Sequence, residues 1–111
     1  MSQKSLELLM LIWKSYTKLI ADRKRAEAHF DCGQFKESRA LALEVQALVE
    51  ELLSRIEVAD REYGCTSLPA VKDSQAQLRM LLADVKDSIG RFSLMDDLQN
   101  HRVYRSFGGD C

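Results

Sequence analysis

The chain has 111 residues, 16 Lys and Arg against 17 Asp and Glu, and 46% apolar residues, with five glycines, one proline and three cysteines. A chain of this size buries about 60% of its unfolded surface or slightly more, which supplies one core but not a core plus a deep substrate pocket, so an enzyme is disfavoured. The net charge of −1 exerts no general pull toward nucleic acid or anionic lipid, and the apolar fraction is too high for a disordered chain.

The sparse glycines and proline leave long uninterrupted segments, and their apolar spacing predicts three helices. The first runs from about 5 to 30, with Ser5 as N-cap and Leu6, Leu9, Trp13, Tyr16 and Ile20 spaced three and four apart along the face expected to be buried. Leu8, Met10, Leu11 and Ile12 fill other angles of the same two turns, which one buried stripe does not require and a second buried face would. This apolar run is far shorter than the ~20 residues of a membrane span, so no membrane insertion is expected. Lys14, Ser15, Tyr16 and Lys18 follow it where a secretory signal would carry small residues.

Asp31-Cys32-Gly33 predicts a tight reversal, with Gly33 at the positive φ that ends many helices. The second helix, about 34 to 63, carries the clearest pattern. Phe35, Ala42, Val49, Ile56 and Tyr63 recur every seven residues, and Ser38, Val45, Leu52 and Ala59 follow three residues after, a coiled-coil-like seam. Leu41 and Leu48 on one side and Leu43 and Ala47 on the other widen it toward the breadth of a small bundle.

Gly64 to Pro69 predicts a second sharp turn, with Gly64 as the stop, Thr66 or Ser67 as cap and Pro69 in the first turn of the next helix. That helix, about 69 to 101, carries Leu78, Leu81, Val85, Phe92 and Met95, with Leu82, Ile89 and Leu98 beside them. Gly90 is its weak point: a mid-helix glycine costs about 1 kcal/mol relative to alanine, so a bend or break is expected there. Residues 103–111 contain Gly108-Gly109 and predict a flexible tail, with Tyr104 and Phe107 able to fold back. No strand pattern occurs, and the fold class is all-α: an antiparallel helical hairpin plus a third long helix, a three- to four-helix bundle in one domain spanning 1–111.

Cys32, Cys65 and Cys111 are odd in number, widely spaced and without a Cys-x-x-Cys pair, which fits neither a disulfide framework nor a zinc site and suggests a reducing cytoplasm. Cys32 and Cys65 lie at opposite ends of a helix roughly 43 Å long and cannot bridge. Cys111 could approach Cys32, but a bond is not expected in that compartment. His29 and Cys32 have the spacing of a base and a thiolate, yet nothing supplies an orienting third group or an oxyanion hole. Asp97 and His101, four apart, form one pair where a bundle metal site needs several inward ligands, so neither metal nor cofactor is expected.

From Lys14 to Arg25 there are five basic side chains against Asp22, interleaved with Trp13 and Tyr16; Glu37 to Glu62 carries seven acids against three arginines. The hairpin is expected to lay these stretches side by side so that they compensate, leaving no coherent phosphate-binding face and no expectation of nucleic acid. What remains is apolar surface beyond a three-helix core: Leu8, Met10, Leu11 and Ile12, the broad second-helix stripe, and Met80, Leu94, Met95 and Leu98. Such surface suits an amphipathic partner helix or a further copy of the chain.

The stretch Ala28-His29-Phe30-Asp31-Cys32-Gly33-Gln34-Phe35-Lys36-Glu37, a glycine turn followed by an aromatic and a long leucine, alanine and glutamate helix, resembles the FliT-like flagellar export chaperones and, more distantly, FlgN. The later stretch is similar too: Leu81, Leu82, Val85, Ile89 and Phe92 run into Leu98-Gln99-Asn100-His101-Arg102-Val103-Tyr104. The resemblance spans most of the chain and rests on pattern and length. It implies a non-enzymatic cytoplasmic chaperone that binds the amphipathic C-terminal helix of a flagellar axial protein, such as the filament cap, and docks it at the type III export apparatus. The partner-binding surface would then comprise Leu8, Leu11, Ile12, Leu41, Leu48, Leu78, Leu82, Val85 and Ile89, with Leu98, Tyr104 and Phe107 as a lid. The three cysteines and the Phe107-Gly108-Gly109-Asp110-Cys111 ending depart from that family's features. The alternative is a structural helical adaptor, as a homodimer or within a larger oligomer, whose apolar patch is permanently covered.

Overall fold

The computed structural model describes residues 3–100 and folds them into α1 (Gln3–Asp31), α2 (Phe35–Tyr63) and α3 (Pro69–Asn100), with one 3-10 turn, Cys65–Ser67, before α3. The sequence boundaries agree to within a residue or two, and no strand occurs among the described residues. The bundle runs up, down and up in an elongated body of 56 × 21 × 15 Å. Expectations for residues 101–111, including the flexible tail, the approach of Cys111 to Cys32 and the Asp97–His101 pair, lie outside the described residues.

Both reversals follow from glycines placed where a left-handed residue is required. At the first, Gly33 has φ 76°. The Gln34 N–H bonds the His29 carbonyl at 2.8 Å and the Gly33 N–H bonds the Phe30 carbonyl at 3.0 Å, the paired bonds of a Schellman ending. At the second, Gly64 has φ 64° and its N–H bonds the Asp60 carbonyl at 2.8 Å. Thr66 does not cap α3. It turns back to α2 and gives its backbone N–H and its hydroxyl to Asp60 Oδ1, at 3.0 and 2.5 Å. Ser67 does not cap α3 either: its hydroxyl bonds the Gly64 carbonyl, and the Leu68 carbonyl accepts the first N–H groups of α3, from Val71 and Lys72. Those two bonds to Asp60 hold its carboxyl below its ordinary pKa, because they favour the charged form.

The core is one continuous cluster. Every buried residue of α2 lies on the heptad seam: Phe35, Ser38, Ala42, Val45, Val49, Leu52, Ile56 and Ala59. Leu41 and Leu48 are half-buried against this core on one flank and Leu53 on the other, whereas Leu43 and Ala47 are exposed. Helix α3 contributes Val71, Leu78, Leu81, Val85, Ser88 and Phe92. It continues unbroken through Gly90, so the expected break does not occur: the glycine sits on the exposed side, and a Cβ there would meet nothing within 4 Å.

Helix α1 departs most from the sequence reading. Its buried residues are Ser5, Leu8, Ile12, Leu19 and Ala26. Ser5 is inside the helix rather than at its N-cap. Leu6 and Trp13, expected in the core, are exposed, while Leu9, Tyr16 and Ile20 are half-buried at its edge. The second half of α1 is locked to α3 by polar and aromatic contacts. Arg23 pairs with Asp84 at 3.8 Å, and Glu27 accepts from Arg91 at 3.2 Å and from the Ser88 hydroxyl at 3.3 Å. Phe30 packs against Phe92 and Phe35 with ring centroids 4.9 and 5.2 Å apart, and the Arg91 guanidinium lies over Phe30 and Phe92.

Candidate partner-binding face

The first half of α1 carries apolar side chains on two opposite faces, because residues spaced 3.6 per turn divide into two sets here. The inward set, Leu8, Ile12, Leu19 and Ala26, fills the core. The outward set is Leu6, Met10 and Trp13, at 45%, 62% and 77% exposure, and continues through exposed Thr17 and Ala21. These outward positions are spaced four, three, four and four, close enough to the 3.6-residue period to keep them on one face of the helix. Leu11, 38% exposed, links this face to an open groove between α1 and the end of α2, lined by Lys4, Leu8, Arg55, Val58 and Tyr63. Tyr63 closes the groove's end by placing its hydroxyl 3.5 Å from the Lys4 carbonyl.

The charges around this face differ from the expected compensation. Among the described residues no ion pair joins α1 to α2: Arg23 pairs across to α3, Arg25 pairs with Asp22, and Arg55 pairs with Glu51 inside α2. Lys14, Lys18 and Lys24 are exposed and form no ion pair among the described residues. Glu7 lies on α1 beside the seam and accepts a hydrogen bond from Gln3. The hairpin brings the two helices together through their apolar seams, which leaves Lys14, Lys18 and Lys24 exposed, while Lys4 and Glu7 of α1 share the groove with Glu51 and Glu62 of α2.

The partner-binding residues expected from the sequence therefore separate into two groups. Leu11 lies on the surface, and Leu8 reaches the groove wall from the edge of the core. Leu41, Leu48, Leu82 and Ile89 are half-buried at the core margin. Ile12, Leu78 and Val85 are packed inside the bundle, where they hold the helices together and present nothing to a partner. Of the lid residues, Leu98 is half-buried on α3, and Tyr104 and Phe107 lie outside the described residues. Leu6 and Trp13 were misread as core, although one signal distinguishes them. The series Ile12, Leu19, Ala26 stays apolar, whereas Trp13, Ile20, Glu27 ends on a charge.

The remaining chemistry-bearing groups are engaged structurally. His29 Nδ1 lies 2.6 Å from Gln34 Oε1 across the first turn. Cys32 is half-buried at the same turn and already engaged, so it is not a free thiolate partner for His29. Cys65 is a free, buried thiol that donates to the Ile56 carbonyl, and burial raises its pKa and so lowers its reactivity. Among the described residues no cluster of three or more His, Cys, Asp or Glu could hold a metal ion, and no helix is long and apolar enough to cross a membrane. No protein-family model, curated protein or solved structure matches the chain.

Proposed function

We propose that this chain is a non-enzymatic helical chaperone whose α1 surface holds an amphipathic helix of a client protein. The observation that carries this reading is the outward Leu6, Met10 and Trp13 seam, which stays exposed although the three helices already enclose a complete core. An exposed apolar stripe at helical spacing is what a helix-in-groove or helix-on-helix partner engages. The resemblance of residues 28–37 and 78–104 to FliT-like chaperones makes the client the C-terminal helix of a flagellar axial protein. That client would be held in the cytoplasm for delivery to the type III export apparatus.

Binding of the purified C-terminal segment of the filament-cap protein tests this. The wild-type chain is expected to bind it, and Met10→Asp and Trp13→Asp are expected to abolish binding while leaving the helical circular dichroism and melting curve unchanged. Full binding by both variants would overturn the reading. The alternative, a structural subunit using the same seam in a permanent oligomer, predicts instead a purified chain that already sediments as a stable multimer and is reduced to monomer by the same substitutions.

A further inference from the structure

Resting on the reading of the α1 face as a helix-docking site, we propose that the docked helix carries acidic residues beside its apolar stripe, with Lys14, Lys18 and Lys24 as their counter-charges. The seam from Leu6 to Ala21 covers about 22 Å, or four turns, and so matches a partner helix of roughly 15–20 residues. Its large side chains, Leu6, Met10 and Trp13, lie toward one end, and its small ones, Thr17 and Ala21, toward the other. A complementary helix therefore places bulk over Thr17 and Ala21 and smaller side chains over Trp13. The three lysines are exposed and form no ion pair among the described residues; on α1 they outnumber Glu7 beside the seam, and of the two α2 acids in the adjoining groove Glu51 is already paired with Arg55, leaving Glu62. A partner with acidic flanks meets unpaired positive charge along the seam, and one with basic flanks meets like charge.

Other occupants fit less well. The contacts Arg23–Asp84 and Glu27–Arg91 set the register of α3 against α1, placing the level of Trp13 beside residues near 75 on α3. Asn100 is then about 37 Å further along the bundle. Phe107, seven residues later, spans at most roughly 25 Å even when fully extended, so it cannot cover Trp13. A second copy of this face brings three more lysines against the first three. A membrane surface prefers a broad apolar face, and this one is a narrow stripe whose second half is only Thr17 and Ala21.

Trp13 is the single tryptophan of the chain, so its fluorescence reports occupancy of the seam directly. The probes are two synthetic helices of about 21 residues with the same leucine and alanine stripe, one flanked by glutamates and one by lysines, together with phosphatidylserine and phosphatidylcholine vesicles. The glutamate-flanked helix is expected to shift Trp13 emission to the blue and to bind about tenfold more tightly than the lysine-flanked one at low salt, the summed effect of three exposed ion pairs. That gap narrows as salt rises. The triple variant Lys14→Glu, Lys18→Glu, Lys24→Glu is expected to reverse the preference with an unchanged melting curve. Equal affinity for the two helices overturns the proposal, as does a blue shift produced only by vesicles, or one that grows with protein concentration alone. Equal affinity that Trp13→Asp abolishes, followed by calorimetry, removes the charge preference but leaves helix docking intact. Undiminished client binding by Trp13→Asp and Met10→Asp removes the docking reading itself.

Discussion

Helices α1 and α2 have the same length, 29 residues, and pack antiparallel, yet they distribute their apolar side chains differently. In α2 every buried residue belongs to one heptad seam, and its outward positions are mostly charged or small. In the first half of α1 the apolar residues point both ways, and only the inward set meets the other helices. The comparison teaches that a helix with one apolar stripe reports its own packing. A helix with two leaves the choice to its neighbours, and the face they do not take becomes the interaction surface.

Substitutions in the two sets of α1 and α3 positions break this comparison most sharply. Phe92→Ala, at a fully buried ring packed against Phe30, is expected to lower stability by about 3–5 kcal/mol in urea unfolding. Trp13→Ala, removing a larger side chain that is 77% exposed, is expected to change stability by no more than about 0.5 kcal/mol while weakening client binding. A comparable loss of stability in both would mean that the outward face is part of the core.

The two glycines give smaller effects of opposite sign. Gly64→Ala forces a Cβ into the left-handed conformation that ends α2 and is expected to cost about 1–2 kcal/mol. Gly90→Ala, in the middle of α3 with open space around it, is expected to stabilise by about 1 kcal/mol, read as a higher urea midpoint. A Gly90→Ala variant less stable than wild type would show that α3 does bend there.

The smallest effect is a pH dependence at the α2–α3 turn. Thr66 lowers the folded-state pKa of Asp60, so the stability it contributes is fully present above the ordinary carboxylate pKa and is lost as pH falls through Asp60's own lowered value. Thr66→Val, which removes the hydroxyl bond and keeps the backbone N–H bond, is expected to reduce that component. Urea midpoints measured down to acid pH should then fall less steeply for the variant than for wild type, and parallel curves would assign the acid sensitivity to other carboxylates.

Much of the fold is legible in the sequence because the signals are local. Gly33 and Gly64 mark turns that need positive φ, Pro69 opens α3, and the seven-residue recurrence from Phe35 to Tyr63 names the core of α2. The candidate site is less legible. Ile12 and Trp13 are adjacent and both apolar, and the signal that ranks them is remote: the series through Trp13 and Ile20 meets a charge only at Glu27, two heptads on. Thr66 has the chemistry of an N-cap, and only the return of the chain places it on Asp60.

The helix count, the turns and the α2 seam are thus determined by the sequence itself, since backbone conformation and side-chain periodicity act over a few residues. The tertiary structure alone decided which face of α1 is inside. Packing against α2, together with the Arg23–Asp84 and Glu27–Arg91 contacts to α3, fixes the rotation of α1 about its axis. That rotation buries Ile12 and exposes Trp13, Lys14 and Lys18, because a helix is oriented by contacts between residues distant in the chain.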